Sequence, residues 1–280
     1  MHTFSLHGHR WLSSPDQPGS TLVDTQSLSL AEYFNYEIQG GRPVRTDPGS
    51  ARTLRRARSD RSNGVPSLVR GGAGAPGDYL YGSTPLDDQW LGMWGVFRVP
   101  GAAVGDLAPL PDARRPGRGD PWPALHPGDA LAPPRTAGTT TCPAGAPVRA
   151  YSVRAIRQDI VYNADDGDHD PNGLMYVLAE EEAAVRAGRV RPSPLFIRAN
   201  VGDCLKITLT NALPRGGLPT HDGDVPLPAD EPFPAGDRVS MHAGLVQYDV
   251  LRSDGATVGF NFDQTVAPGA STTSTWYVDA

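Results

Sequence analysis

The chain has 280 residues, enough for two domains of ordinary size, and a formal net charge of −6. Its basic residues are almost all arginine, with Lys206 as the only lysine, and they form no patch that indicates nucleic-acid binding. No apolar run approaches the roughly 20 residues that span a bilayer, so we predict no membrane span. The 32 glycines and 28 prolines, with few long helical patterns, predict a loop-rich, mostly β protein.

Three of the seven histidines, His2, His7 and His9, lie in the first nine residues. Residues i and i+2 of an extended strand share a face, so we predict that His7 and His9 point the same way and that Leu6 is buried opposite. Two imidazoles on one face suit one shared metal ion or two adjacent ions, and copper, zinc, iron and nickel all accept imidazole. A frayed, exposed N-terminal strand is the alternative.

The rest of the first half is predicted to be strands around a long insertion. Residues 31–38 are rich in Tyr and Phe and are predicted to form a strand. Residues 42–77 are rich in Arg, Ser, Gly and Pro and predict a surface loop. Residues 77–83 and 90–99 predict two aromatic-rich strands around a short loop.

Residues 101–141 are dense in proline and are predicted to be a semi-rigid linker. The isolated His126 within them is not predicted to be a ligand. The second half is predicted to open with strands over residues 149–162, to include a helix over residues 178–188, and to close with a strand over residues 273–278. The strand patterns on either side of the linker predict two antiparallel β units, over residues 1–99 and 142–280.

The chain contains two cysteines, Cys142 and Cys204. A disulfide in an oxidising compartment and two buried free thiols are both open readings of the sequence. Both cysteines open strand-like segments of the second half, and we predict that they lie near each other.

The first nine residues also carry a family resemblance. His2-Thr3-Phe4-Ser5-Leu6-His7-Gly8-His9 resembles the His-Pro-x-His-x-His-Gly motif near the end of multicopper oxidases. The resemblance implies that His2 matches a type 1 copper ligand and His7 a ligand of the oxygen-reducing trinuclear cluster, while Ser5 replaces a second cluster histidine. Tyr81-Gly82-Ser83-Thr84 stands where the family has its Cys and His ligands, and Gly92-Met93 keeps only the closing pair.

Residues 194–211 are similar to a cupredoxin strand pair around a Gly202-Asp203 turn. Val239 to Gly244 stands where the family carries His-x-His-Gly, with His242 as the one remaining histidine, and residues 265–269 match the turn before a final strand. The resemblance therefore implies an all-β fold of two partial or complete cupredoxin-like Greek-key β-sandwiches. It places one domain at residues 1–100, the linker at 101–141 and the other domain at 142–280.

The likeness is to the large bacterial multi-cupredoxin oxidases, including manganese-oxidising relatives. It implies copper as the cofactor, with His2, His7, His9 and His242 as metal ligands, and a small molecule or metal ion as substrate. Further cupredoxin domains or subunits are expected as partners, and the chain is expected to be a piece of a longer, extracytoplasmic or secreted protein. The alternative is a non-catalytic cupredoxin-like scaffold without redox copper.

Overall fold

A computed structural model describes residues 2–14, 20–36, 38, 77–85, 88–89, 91–99, 142–215, 237–256 and 263–278. Within these residues the protein is nearly all β, which confirms the predicted fold class. The finer Greek-key order stays a prediction. Among the described residues no helix has the length and apolar character needed to cross a membrane.

The first half of the chain forms an antiparallel four-stranded sheet. Its strands are β1 (His2–Leu6), β4 (Thr25–Leu28), β5 (Gly77–Gly82) and β6 (Trp94–Val99), in the order β4-β1-β5-β6. A two-stranded ribbon is formed by β2 (Trp11–Leu12) and β3 (Leu22–Val23). The predicted β5–β6 pair is confirmed. The strand predicted over residues 31–38 is wrong, because none of the residues described there is in a strand; Tyr36 instead packs on Trp11, with the ring centroids 5.1 Å apart.

The second half forms a five-stranded sheet and a separate hairpin. The sheet strands are β7 (Val148–Arg157), β10 (Leu174–Leu178), β11 (Cys204–Asn211), β12 (Gln247–Tyr248) and β13 (Ser271–Tyr277), in the order β10-β7-β11-β13-β12. The hairpin pairs β8 (Ile160–Asn163) with β9 (Asp168–Asp170). The predicted helix exists over a shorter range, α1 (Glu182–Arg186), and Gly188 follows it with a φ of +67°.

Two predictions for this sheet are wrong. The sheet is mixed rather than antiparallel, because β7 and β11 run parallel over their whole pairing. The segment before Gly202 is not a strand: β11 already pairs with β7 on one edge and β13 on the other, so neither edge of β11 is left for it.

A disulfide joins Cys142 to Cys204 with a Cα–Cα distance of 5.7 Å, so the predicted proximity is confirmed. The bond ties the segment that leads into β7 to the first residue of β11. It closes a loop of 62 residues, and in the chain-entropy picture such a loop contributes about 4 kcal/mol to stability. Parallel neighbours need a long crossover, so a covalent bond at the start of this pair lowers the entropic cost of bringing β7 and β11 together.

The two sheets share one hydrophobic core. Leu6, Trp11 and Tyr79 from the first half are buried in the same cluster as Ile207 and Trp276 from the second. The division into domains at residues 1–100 and 142–280 stays a prediction, and the predicted linker, including His126, and nearly all of the predicted insertion lie outside the described residues.

Candidate metal centre

The chain turns directly after β1, and this turn separates His7 from His9. The strand ends at Leu6, Gly8 has a φ of +64°, and the His9 amide donates to the Leu6 carbonyl at 3.3 Å. A Cβ on Gly8 would lie 2.8 Å from the Tyr79 ring, so the turn needs glycine for its conformation and for its space. The prediction that His7 and His9 share one face of an extended strand is therefore wrong.

His9 lies inside the core rather than at an open site. Its Nδ1 donates to the His7 carbonyl at 2.9 Å, and its ring packs edge-on against Tyr79 and Phe97 at centroid distances of 4.6 and 5.3 Å. Burial lowers the pKa of His9, although the hydrogen bond to the His7 backbone raises it in part. The neutral ring is thus the favoured form, and its metal role stays a prediction.

His7 meets His242 and Asp254, which lie far along the chain. The His7 and His242 rings stack with centroids 3.8 Å apart and planes 18° apart. His7 Nδ1 lies 3.1 Å from both carboxylate oxygens of Asp254, and His242 Nδ1 lies 2.9 Å from the Asp254 backbone carbonyl and 3.1 Å from its Oδ1. Among the described residues this is the one group of three His, Cys, Asp or Glu side chains with a potential ligand atom of each within 4.8 Å of the others.

The hydrogen bonds determine which nitrogen of each ring carries a proton. A carboxylate and a backbone carbonyl only accept hydrogen bonds, so Nδ1 of His7 and Nδ1 of His242 must be the donors. In a neutral imidazole the lone pair then lies on Nε2. Both Nδ1 edges face Asp254, which turns both Nε2 edges away from it. This arrangement matches metal-binding histidines, which usually donate the other ring N–H to a carboxylate or carbonyl.

The Asp254 side chain is fully buried, whereas those of His7 and His242 are 17% and 34% exposed. Burial alone would raise the pKa of Asp254, but the hydrogen bonds and charges of His242 and His7 outweigh it and hold the pKa far below its usual range. Burial alone would lower the pKa of His242, but Asp254 outweighs that effect and the net pKa is raised. The group therefore holds a buried negative charge that favours a cation at the imidazoles.

A close-fitting loop holds Asp254 in place. The amides of Asp254 and Gly255 donate to Gln264 Oε1 at 2.9 and 3.0 Å, and Gln264 Nε2 donates to the Val250 carbonyl at 2.7 Å. Gly255 has a φ of +77°, and a Cβ there would lie 2.0 Å from the Met241 carbonyl oxygen. Glycine is therefore needed for the Asp254 loop to reach the backbone beside His242.

Contacts between the two halves fix His242 opposite His7. The Leu245 amide donates to Asp24 Oδ2 at 2.9 Å, and Arg10 Nη1 donates to the Leu245 carbonyl at 3.2 Å. Asp24 lies between β3 and β4, so the segment that carries His242 is held to the edge of the first half. The site is therefore assembled by long-range packing and not by any local motif.

His2 lies at the other end of β1, about 16 Å away at the rise of an extended strand. Its Nδ1 donates to Asp88 Oδ2 at 2.8 Å, and Ser83 Oγ donates to the same oxygen at 2.5 Å. His2 therefore does not join His7 and His242, and its metal role stays a prediction.

The sequence did not identify Asp254 as a site residue, since Asp254-Gly255 reads as an ordinary turn. A carboxylate twelve residues after His242 was the available signal. No protein-family model matches the chain, and no curated protein matches it. The candidate site accordingly rests on its own geometry, and the multicopper oxidase resemblance stays a prediction.

Proposed function

We propose that this chain binds a copper ion through Nε2 of His7 and His242, as one contribution to a multicopper-oxidase-like assembly. The observation that carries the proposal is the convergence of two imidazoles on one buried carboxylate. His7 and Asp254 are 247 residues apart in sequence, yet their side chains are in hydrogen-bonding contact.

The donor set fits copper held by imidazole but not a type 1 copper site. Type 1 copper needs a thiolate, and both cysteines of the chain are joined in the disulfide. Two imidazoles with a nearby carboxylate suit a copper ion whose remaining ligands come from solvent or from another domain or subunit. We therefore expect the copper-loaded protein to lack intense blue absorption.

Copper, when bound, would supply one-electron chemistry. The residues of the chain would bind the ion and orient its ligands. His7 and His242 offer the two Nε2 lone pairs, and because the rings are stacked with planes 18° apart, they must tilt toward one another to share one ion. Asp254 keeps both rings in the required tautomer and provides the compensating negative charge. Tyr248 lies on the inner side of the site, where it is fully buried with its ring centroid 5.9 Å from that of His242. Burial raises the pKa of Tyr248 well above the usual value, so the side chain stays a neutral phenol.

A second candidate function is a scaffold without redox copper, in which a metal ion or the hydrogen-bonded group alone fastens the two halves together. The location of the site between the turn after β1 and the 237–256 segment favours this candidate. In either case the disulfide supports an oxidising, extracytoplasmic location.

Copper titration by calorimetry, with electron paramagnetic resonance of the loaded protein, tests the proposal. We expect one Cu(II) per chain, with hyperfine coupling to nitrogen in the spectrum. His7→Ala and His242→Ala should each lower copper affinity by more than about 100-fold, which exceeds the loss expected for a residue that only hydrogen-bonds to a ligand. The controls His2→Ala and Ser13→Ala should bind like the unaltered protein. Equal, weak binding in all variants would rule out this copper site.

A further inference from the structure

A cleft of about 1180 Å³ opens beside the candidate metal centre, and His242 is part of its wall. It is enclosed on three sides: by β8 and β10 on the first, by the segment over residues 191–197 on the second, and by the segment over residues 240–246 on the third. The Tyr176 hydroxyl donates to the Ser240 carbonyl at 2.5 Å and so fixes the third side against β10. The cleft is thus a formed feature of the second half.

The walls of the cleft are mostly apolar. Apolar side chains of the lining include Ile160, Leu174, Met175, Leu195, Ile197 and Val246. Leu174 is 48% exposed at the opening, and Val161 and Tyr162 also expose much of their apolar surface there. Apolar clefts with a few convergent polar groups are the usual form of small-molecule sites.

Among the described residues of the lining, two basic side chains can carry charge, His242 and Arg191. Arg191 is exposed, and His242 lines the cleft while its Nδ1 donates to the Asp254 backbone carbonyl. A bound molecule would therefore place its apolar body along the walls and an anionic group near the guanidinium, since opposite charges complement one another at a binding surface.

We infer that this cleft binds a small aromatic carboxylate or a similar apolar anion, with its ring system against His242. A molecule in the cleft would lie next to an ion held by His242, so the inference names a substrate class for the proposed copper site. In that respect it rests on the proposed function. Ligand binding to the cleft requires no metal, so ligand binding and copper binding can be tested separately.

The test uses 1-naphthoate and its neutral counterpart 1-naphthalenemethanol, titrated by calorimetry into the metal-free protein. We expect both to bind and Leu174→Asn to weaken both about tenfold, because it removes apolar contact at the opening. Val148→Asn changes another exposed apolar strand residue, which lies outside the cleft, and should have no effect. Arg191→Gln should weaken naphthoate alone, about two- to fivefold, whereas the matched control Arg189→Gln should not.

Proton NMR of the same samples tests the position of the ligand. We expect naphthoate to shift the ring protons of His242 and to leave those of His169, on β9 outside the cleft, unchanged. Binding without a shift at His242, or binding unaffected by Leu174→Asn, would overturn the inference. A dimer that forms with rising protein concentration and prevents naphthoate binding would also overturn the inference if Leu174→Asn abolishes it. The occupant of the cleft would then be a second copy of the chain.

The outcomes separate this inference from the proposed function. Naphthoate binding at His242 with no copper binding would leave the cleft assignment intact and reject the copper site. Copper binding at His7 and His242 with no naphthoate binding would support the copper site and reject the cleft assignment.

Discussion

The two ends of β1 each place a histidine against a carboxylate, but their surroundings differ. At the first end, His2 is 58% exposed and has one carboxylate partner, Asp88. Beyond the second end, His7 stacks on a second imidazole and both rings share the fully buried Asp254. Water screens the exposed His2 ring and leaves it loosely held, whereas a fully buried carboxylate that accepts from two rings fixes both. Burial and a second ring, rather than a histidine–aspartate contact alone, make the candidate metal site.

Removing the buried carboxylate should have the largest effect. Asp254→Ala removes the carboxylate that accepts from the His7 ring and leaves the His242 ring only the backbone carbonyl of residue 254. We expect a loss of about 1–3 kcal/mol in the free energy of unfolding, measured by denaturant titration. Asp88→Ala removes the corresponding partner of His2 and should lower stability much less. Equal losses in the two variants would contradict the proposed difference between the two ends.

The milder change Asp254→Asn tests the orienting role of the carboxylate. The amide keeps the shape of the side chain but loses the charge, so we expect copper affinity to fall by about 10–100-fold. Copper titration measures it, with Asp88→Asn as the matched control. An unchanged affinity in Asp254→Asn would mean that the rings need no help from the carboxylate.

Copper binding should weaken in acid. The net pKa of His242 is raised, because Asp254 outweighs the effect of burial, so its ring holds a proton at pH values where an ordinary histidine is neutral. Copper must displace that proton, and affinity should fall by up to about tenfold per pH unit below this pKa. Titrations between about pH 5 and 8 measure the slope. In Asp254→Asn the decline should begin at lower pH.

His9 should produce a smaller and separate effect on stability. Burial lowers its pKa, so below the ordinary histidine value the unfolded chain takes up a proton that the folded chain does not. This contribution therefore destabilises the protein as pH falls through the unfolded-state pKa, by at most about 1.4 kcal/mol per pH unit. His9→Phe should flatten the pH dependence of the unfolding free energy between about pH 7 and 5. An unchanged slope would mean that His9 is protonated inside the fold.

His2→Ala should have the smallest effect. Its ring is largely exposed and lies about 16 Å from His7 along the strand. We expect unchanged copper affinity and only a slight change in thermal midpoint, measured by circular dichroism. A clear loss of copper binding would extend the metal site to the first end of β1.

Much of the strand pattern could be predicted from the sequence, because alternation and turn residues act over a few positions. The β5–β6 pair, β7 and the closing β13 were predicted within a few residues. The strand expected before Gly202 failed for a non-local reason, since β7 and β13 occupy both edges of β11. Alternation along a segment shows that it can be a strand, but it does not show which edge is free.

For the site, the sequence by itself determined which residue types were present: histidines near the start, His242 near the end, and two cysteines and no more. Only the tertiary structure decided which of them meet. The turn at Gly8 sends His9 into the core and His7 outward, and the packing of Leu245 on Asp24 brings His242 to it. The close approach allowed by Gly255 adds Asp254, which no local pattern marked. The physical reason is that ligand convergence depends on contacts between distant segments, and their free energy comes from burial in a shared core rather than from neighbouring residues.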